Sequence, residues 1–329
     1  MKKVMMSLLA CFMCLSLGAC SKDEQNDAEG MIKIGAIQLA EHPALDQAYD
    51  GFYDALKEAG YVEGENLTID FQNAQGDPSN CTTIATKFAS DQVDLILAIA
   101  TNAAQAAANA TQSIPIVLTA VTDPAYSGLV ESNEAPGGNV TGTSDLTPVS
   151  DQIDLLTQLI PEAKKVAVMY NGAEDNSIFQ AELAKEAIEA KGLTYVETSV
   201  SELNQIQQVV ESLVGKVDAV YIPTDNLLAE GMATVTMITN QNKIPTIVGE
   251  EGMCANGGLA TYGLSYYNLG HLAGEQAIAI LKGEKTAADT PIGYLPKEDC
   301  VLTINQSTAE ALGITIPEEL LEKAVLIEE

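Results

Sequence analysis

Polar side chains that end the short apolar runs of this chain are the residues best placed to do chemistry. Residues 93–102 read VDLILAIATN and residues 217–226 read VDAVYIPTDN. Each run begins with Val-Asp and ends on Thr followed by Asn or Asp. Hydroxyl, amide and carboxylate groups in such positions hold a small polar molecule through hydrogen bonds and charge. The repetition predicts two similar halves whose polar strand ends face a shared cleft.

The other predicted strand ends supply further candidates. In open parallel sheets, ligands bind beyond the carboxyl ends of the strands, where the N–H groups of the next helices point at the opening. The candidate ligand contacts are Gln38, Glu41, His42, Thr101, Asn102, Thr122, Asp123, Ser144, Tyr170, Asn176, Ser177, Thr224, Asp225, Asn226 and Glu250. Any one of them alone is also a typical helix cap or turn residue.

The chemistry of this set predicts a small zwitterion as the ligand. Carboxylates suit an ammonium group, whereas helix N-termini and hydroxyls suit a carboxylate. Asp123 and Asp225 are the expected charges. All 16 basic residues are lysine, so no arginine is available to clamp a carboxylate or phosphate through two hydrogen bonds.

The signatures of catalysis are missing from the sequence. His42 and His271 are the only histidines, and the chain has no Gly-x-Ser-x-Gly elbow, Walker loop, Gly-x-Gly-x-x-Gly or His-Glu-x-x-His motif. No metal-ligand spacing occurs either. We therefore predict that the protein is not an enzyme and needs no cofactor or metal. A surface-anchored hydrolase, the alternative, would require a nucleophile and a base that no motif supplies.

Charge and cysteine content limit the choices further. The formal net charge of the 329 residues is −30, which disfavours nucleic-acid binding because that needs a basic face. The lack of a basic face also argues against a transcriptional regulator. Cys81, Cys254 and Cys300 are widely spaced and odd in number, so they predict no disulfide framework.

The N-terminus has the pattern of an export signal. Lys2 and Lys3 precede an apolar stretch over residues 4–17, which is too short to span a bilayer. The stretch ends in LGAC at residues 17–20, which resembles a bacterial lipobox. We predict that residues 1–19 are a lipoprotein signal peptide, that Cys20 is the lipid attachment site and that residues 20–30 form a flexible polar tether. The alternative is an ordinary signal peptide in which Cys20 is incidental.

Alternating strand and helix patterns organise the rest of the chain. They predict an α/β fold of two similar doubly wound parallel-sheet lobes, joined by a hinge that the chain crosses three times. The predicted N-terminal lobe comprises residues 31–145 plus about 267–290. The predicted C-terminal lobe comprises residues 146–266 plus about 291–329. The Gly-rich segment 137–145 is the expected first crossing, and residues 227–240 are predicted to form a single helix.

Several motifs resemble those of a known family. They are EHPALD at 41–46, AQGD at 74–77, ATNAAQ at 100–105, VTDP at 121–124, NVTGTSD at 139–145, PTDN at 223–226 and ATYG at 260–263. Over residues 31–324 the chain resembles the ABC-transporter substrate-binding proteins associated with tryptophan and tyrosine uptake.

The resemblance implies a type I periplasmic-binding-protein fold, an aromatic amino acid (Trp, Tyr or Phe) as the ligand, and an ABC permease and ATPase as partners. Tyr126, Tyr170 and Tyr262 are candidates for shaping an aromatic pocket. The expected location is outside the cytoplasm, with only a lipid anchor in the bacterial cell membrane. A sugar, nucleoside or other small polar solute is the alternative ligand, although the absence of Trp and the 5% aromatic content disfavour a sugar.

Overall fold

The computed structural model describes residues 30–328. The predicted signal peptide, the predicted acylation site Cys20 and nearly all of the predicted tether lie outside the described residues. The strands are β1 (Ile32–Gln38), β2 (Leu67–Asn73), β3 (Leu95–Ile99), β4 (Ile116–Val121), β5 (Val140–Ser144), β6 (Lys165–Asn171), β7 (Thr194–Val200), β8 (Ala219–Ile222), β9 (Thr246–Val248), β10 (Ala260–Gly263), β11 (Gly293–Tyr294), β12 (Val301–Asn305) and β13 (Val325–Ile327). The helices are α1 (Pro43–Glu58), α2 (Pro78–Ser90), α3 (Thr101–Ala110), α4 (Val149–Leu159), α5 (Asp175–Ala190), α6 (Ile206–Leu213), α7 (Asn226–Glu230), α8 (Met232–Gln241), α9 (Glu251–Ala255), α10 (Tyr266–Leu281), α11 (Gln306–Leu312) and α12 (Glu318–Leu321).

The strands form two separate sheets with related strand orders. The first sheet has the order β11-β5-β4-β3-β1-β2, and all of its pairings are parallel. The second has the order β13-β12-β10-β9-β8-β6-β7 and is parallel except where β12 pairs with β10. Central strands such as β3, LILAI, are buried on both faces, as expected where helices cover both sides of a parallel sheet. The prediction of two doubly wound lobes is confirmed.

The chain crosses between the sheets three times. It leaves the first sheet after β5, returns after β10 to form α10 against α1, and leaves again after β11. Because Gly293 and Tyr294 pair with β5, residues 293–294 belong to the first sheet. The predicted start of the last C-terminal segment near residue 291 is therefore a few residues too early. Sequence patterns do not reveal which sheet a two-residue strand joins.

Two local predictions need correction. Residues 140–144, part of the expected first crossing, form the fully buried strand β5, in which the β-branched residues Val140, Thr141 and Thr143 favour extended backbone. The crossing itself follows Ser144. A single helix predicted over residues 227–240 is instead divided into α7 and α8 at Gly231.

Helices α1 and α10 approach each other at their glycines. A Cβ atom added at Gly270 would overlap the backbone carbonyl of Ala48, and one added at Gly51 would overlap the carbonyl of Tyr267. The two backbones are therefore in direct contact, and this contact joins the segment after the second crossing to the first lobe. Among the helices of residues 30–328, none combines the length and apolarity needed to cross a membrane.

Candidate ligand site between the lobes

The two lobes touch across the cleft. Nε2 of His42, at the start of α1 in the first lobe, lies 3.3 Å from Oδ1 of Asn226 at the start of α7 in the second. At the rim, the rings of Tyr126 and Phe179 pack with their centroids 4.7 Å apart. These contacts join loops and helix starts that follow strands of different sheets. The cleft is therefore closed in this structure.

A polar cavity lies inside the closed cleft, beyond the carboxyl ends of both sheets. Its walls are His42, Leu45, Ala120, Asp145, Asn176, Thr224, Asp225, Asn226, Ala229, Glu250 and Tyr266. A second cavity, which shares Asn226 with the first, is lined by Asn102 of the first lobe and Glu174 of the second among others. Because both lobes supply the walls, anything held in the central cavity contacts both sheets at once.

Asp145 is the carboxylate that the structure places at the hinge end of this cavity. It directly follows β5, and its side chain is 4% exposed. Its Oδ1 accepts a hydrogen bond from the Thr122 hydroxyl at 3.0 Å, and its Oδ2 accepts one from the Tyr266 hydroxyl at 2.9 Å. Burial raises the pKa of Asp145, against the lowering effect of these hydroxyls. A carboxylate that caps a helix accepts from backbone N–H groups, whereas the Asp145 carboxylate accepts from two side-chain hydroxyls.

Two other carboxylates of the cavity cap helices. Asp225 accepts hydrogen bonds from the backbone N–H groups of Leu228 and Asn171, at 2.9 and 2.6 Å. Glu250 accepts from the backbone of Gly252 and Met253, at 2.5 and 2.6 Å. The capping interpretation thus holds for both residues, but both also border the cavity. Burial raises the pKa of Asp225, and it raises that of Glu250 to about 7.

Glu174 adds a fourth buried acid at the neighbouring cavity. Its two oxygens accept from the side-chain amides of Asn171 and Asn226, at 2.9 and 2.8 Å. Burial is the main cause that raises the pKa of Glu174 to about 7, and repulsion from the nearby Asp225 carboxylate adds to it. Asn226 therefore links this acid to His42 across the cleft. Burial also lowers the pKa of His42, which favours the uncharged imidazole.

The site contains four buried acidic groups, and no positive charge of the described residues pairs with them. Within residues 30–328, no lysine or histidine forms an ion pair with the four buried acids; every ion pair found there involves other carboxylates. A buried carboxylate is costly unless a positive group or hydrogen-bond donors compensate it. The arrangement is therefore suited to a ligand that brings its own positive charge. In the described part of the chain, no group of His, Cys, Asp and Glu side chains has the arrangement of a metal site.

Several buried polar atoms around the cleft lack a protein partner. They are Nδ1 of His42, Oδ1 of Asn176, Oγ1 of Thr101 and Oε1 of Gln38. Buried polar atoms are nearly always hydrogen-bonded to protein, water or ligand. Backbone strain occurs nearby, because Ala100 before α3 and Ala120 in the cavity wall have positive φ angles of 81° and 56°. Such features are typical of a site built to receive another molecule.

The structure brings many of the predicted residues together. The predicted residues that line the central cavity are His42, Asn176, Thr224, Asp225, Asn226 and Glu250. Asn102 lines the neighbouring cavity. Thr122 lies behind the wall, where its hydroxyl donates to Asp145, and the buried Ser177 hydroxyl accepts from the Asn176 amide at 3.2 Å. Thr101 is buried at the N-terminus of α3. Gln38 is buried at the end of β1, where its amide donates to Ala40 and Asp46.

Other predicted residues are placed elsewhere. Glu41 is exposed. Asp123 fixes its own turn by accepting from the Tyr126 backbone and from Asn133. Ser144 lines a groove at the hinge. Tyr170 packs in the core of the second lobe and donates to Glu197 on the adjacent strand, because alternate side chains of a strand face opposite sides of the sheet.

The predicted aromatic pocket is also different. Tyr262 packs on the second-lobe core and Tyr126 lies at the rim, so the aromatic ring that borders the central cavity is that of Tyr266.

Sequence reasoning also missed Asp145, Glu174 and Gln180 as site residues. Asp145 ends the NVTGTSD motif, which was a usable signal. Glu174 lies in the loop after β6 and Gln180 in the second turn of α5, where no sequence pattern distinguishes them.

Fold and site together define a two-lobed binding protein that encloses a small solute between parallel sheets. The family described as ABC transporter substrate binding protein matches residues 33–327, and the chain belongs to this family. The protein is thus a solute-binding component of an ABC transporter.

Similar proteins agree with this assignment. The chain is 45% identical over 296 residues to a tyrosine-binding protein of Clostridioides difficile (strain R20291), covering 90% of this chain and 85% of that protein. A solved ABC domain in complex with L-Trp from Streptococcus pneumoniae is 38% identical, with a TM-score of 0.87 over 90% of this chain and 99% of that chain.

A third relative informs the lobe arrangement. The ligand-free, open structure of a substrate-binding protein with adhesive properties from Clostridium difficile is 45% identical and has a TM-score of 0.70, over 91% of this chain and 99% of that chain. This relative is thus more similar in sequence than the L-Trp complex, but it superposes less well on the present structure. Rotation of lobes about a hinge has this effect on a whole-chain comparison. The present lobe arrangement is closer to that of the L-Trp complex than to the open form.

Proposed function

We propose that this protein is the extracytoplasmic, lipid-anchored receptor of an ABC importer and that it captures an aromatic amino acid, Trp, Tyr or Phe. The observation that carries the proposal is Asp145, a buried carboxylate in the interlobe cavity with hydroxyl donors but no cationic partner among residues 30–328. A ligand ammonium supplies the missing charge. A neutral sugar or nucleoside would leave it uncompensated.

The remaining parts of a zwitterionic aromatic ligand also have counterparts. Helix α3 begins without a side-chain cap and without an acidic residue in its first turn, and the Thr101 hydroxyl there is buried without a partner. This N-terminus suits the ligand carboxylate in a chain that lacks arginine. Leu45, Ala120 and Tyr266 contribute apolar surface to the cavity wall.

Capture follows from the hinge. A ligand docked on one lobe makes its remaining contacts only after the other lobe swings over it, so the closed population rises with ligand. The closed form would be the one recognised by the permease and its ATPase. Cys20, acylated, would keep the receptor at the membrane surface.

Mass spectrometry of the protein isolated from its native membranes tests both parts of this proposal. We expect a diacylglyceryl group on an N-terminal Cys20 and a copurifying aromatic amino acid. An unmodified N-terminus would overturn the lipid anchor. A copurifying sugar or nucleoside would overturn the ligand, leaving the family assignment intact.

Titration calorimetry with paired analogues tests the role of the ammonium. We expect L-tyrosine or L-tryptophan to bind, and the matched acid without the amino group, 3-(4-hydroxyphenyl)propionate or indole-3-propionate, to bind at least about 30-fold more weakly. Loss of one partner of a buried charge pair costs about 2–5 kcal/mol, and each 1.4 kcal/mol is tenfold. Equal affinities within a pair would contradict the proposed ammonium site.

Binding is expected to weaken as the pH falls from 8 to 6. Burial raises the pKa of Glu174 and Glu250 to about 7 and raises that of Asp145, so the empty closed site retains protons up to that range. An ammonium favours the ionised carboxylates and displaces these protons. The Kd should therefore increase by up to about tenfold per pH unit for each proton released.

Calorimetry at pH 6.5 in two buffers with different ionisation enthalpies measures the proton release directly. The observed heats should differ between the buffers by the released protons times the difference in ionisation enthalpy. Identical heats, together with a Kd that is constant between pH 6 and 8, would show that no carboxylate changes protonation on binding.

A further inference from the structure

One side chain of the second lobe reaches across the closed cleft behind the cavity wall. Gln180 lies on the first half of α5 and is fully buried. Its Nε2 is 3.2 Å from Oγ1 of Thr122, which follows β4 of the first lobe. The same amide donates to the Thr224 carbonyl at 2.9 Å, and its Oε1 accepts from the Thr224 hydroxyl at 2.8 Å. Gln180 thus connects strand ends of both sheets.

This connection continues to the charge site. The Thr122 hydroxyl accepts from Gln180 and donates to Oδ1 of Asp145 at 3.0 Å, while the Tyr266 hydroxyl donates to Oδ2. Thr224, Asp145 and Tyr266 border the cavity, whereas Gln180 and Thr122 do not. The chain of donors runs from the second lobe through the first lobe to the carboxylate at the hinge.

We propose that Gln180 is a positioning residue that couples lobe closure to the ligand-binding carboxylate Asp145 through Thr122. The inference rests on the proposed function, because it assumes that Asp145 receives the ligand. Gln180 itself does not contact the ligand. It acts on the closed state, in which its amide reaches Thr122.

The physical basis is the direction of the hydrogen bonds. A hydroxyl that accepts from an amide has its own proton free, and here that proton points to Asp145. The Gln180 contact therefore orients the Thr122 hydroxyl as a donor to the carboxylate. When the lobes separate, the Gln180 amide and the Thr122 hydroxyl no longer contact each other, and each forms hydrogen bonds with water instead. Since the contact exists only in the closed form, its loss is expected to raise the rate of ligand release and to leave the rate of capture nearly unchanged.

Ligand release can be measured by stopped flow with L-tryptophan and L-tyrosine as probes. We expect Thr122→Val and Gln180→Met each to accelerate dissociation by about tenfold, equivalent to about 1.4 kcal/mol, because each change leaves a buried polar group without its partner. The double variant should be no faster than the faster single variant, since both changes break one connection. Thr122→Ser, which keeps the hydroxyl, should restore slow release.

A matched control separates this role from a loss of stability. Thr239 is equally buried, but its hydroxyl pairs with that of Thr246 inside the second lobe. Thr239→Val should lower the melting temperature without changing the dissociation rate. Additive effects of Thr122→Val and Gln180→Met, or slower capture with unchanged release, would overturn the coupling.

Small-angle scattering keeps the inference testable without a bound amino acid. If the wild-type protein binds none of the probes, the proposed ligand is wrong. The closed fraction of the ligand-free protein is then compared between wild type and Gln180→Met. A lower closed fraction in the variant supports the coupling, and an unchanged one refutes it.

Discussion

Asp145→Asn is expected to weaken amino-acid binding by about two to three orders of magnitude while the protein remains folded. The change removes the charge that we propose faces the ligand ammonium, and truncating one partner of a buried charge pair costs about 2–5 kcal/mol. The asparagine keeps the shape of the side chain and one oxygen to accept from Thr122 or Tyr266. Titration calorimetry with L-tryptophan and L-tyrosine measures the change in Kd.

The stability of the same variant should move the other way. Burial raises the pKa of Asp145, so its ionised form is preferentially disfavoured in the fold, and this cost grows as the pH rises above the ordinary carboxyl range. At pH 7.5 the melting temperature of ligand-free Asp145→Asn should therefore equal or exceed that of the wild type. Binding at wild-type affinity would place the ammonium on another acid and contradict the proposed pose.

Asp225→Asn provides the contrasting control for a capping carboxylate. Asp225 accepts two backbone N–H groups, one of them at the start of α7. Asparagine is an equally good helix cap, but its single oxygen cannot also accept from the buried N–H of Asn171, so the variant should lose stability by about 1 kcal/mol. Comparing melting temperatures of the two variants distinguishes a ligand-binding acid from a structural one.

Gly270→Ala is expected to destabilise the protein by about 3 kcal/mol or more. The added Cβ would overlap the carbonyl oxygen of Ala48, which belongs to the backbone of α1 and cannot rotate away. Helix propensity alone would favour alanine by about 1 kcal/mol, so a loss of stability isolates the steric effect. Separating the helices would also open the packing of α1 and α10. Urea unfolding followed by circular dichroism measures the free energy change.

The matched control for this substitution is Gly138→Ala. Gly138 has an ordinary φ angle, and an added Cβ would meet no atom within 4 Å. Its substitution should change the free energy of unfolding by less than about 0.5 kcal/mol. If Gly270→Ala unfolded at the same urea concentration as the wild type, direct contact between the backbones of α1 and α10 would be disproved.

Most of the architecture was predictable because local patterns carry it. The near copies at residues 93–102 and 217–226 became β3 and β8 with their following helix starts, and the alternation of strands and helices became two parallel sheets. Strand partners were less accessible. The two-residue strand β11 pairs with β5, far earlier in the sequence, and β12 pairs antiparallel to β10.

The candidate site divides in the same manner. His42, Thr224, Asp225 and Glu250 were predictable because each directly follows or lies close to a strand end, where parallel sheets present their ligands. Tyr170 also ends a strand, but the alternation of side chains turns it into the core. Asp145 and Tyr266 belong to two different crossings, so their shared hydrogen bond depends on how those crossings pack.

By itself, the sequence determined the class of fold, the repetition of its halves, the acidic character of the strand ends and the lack of any arginine to bind an anion. These properties follow from residue type and spacing, which act over one strand or one helical turn. Only the tertiary structure decided that Asp145 caps no helix and that the Gln180 side chain reaches the first lobe. Such contacts join residues more than twenty positions apart. The pairing of β4 with β5 brings Thr122 to Asp145, and closure of the hinge brings Gln180 to Thr122.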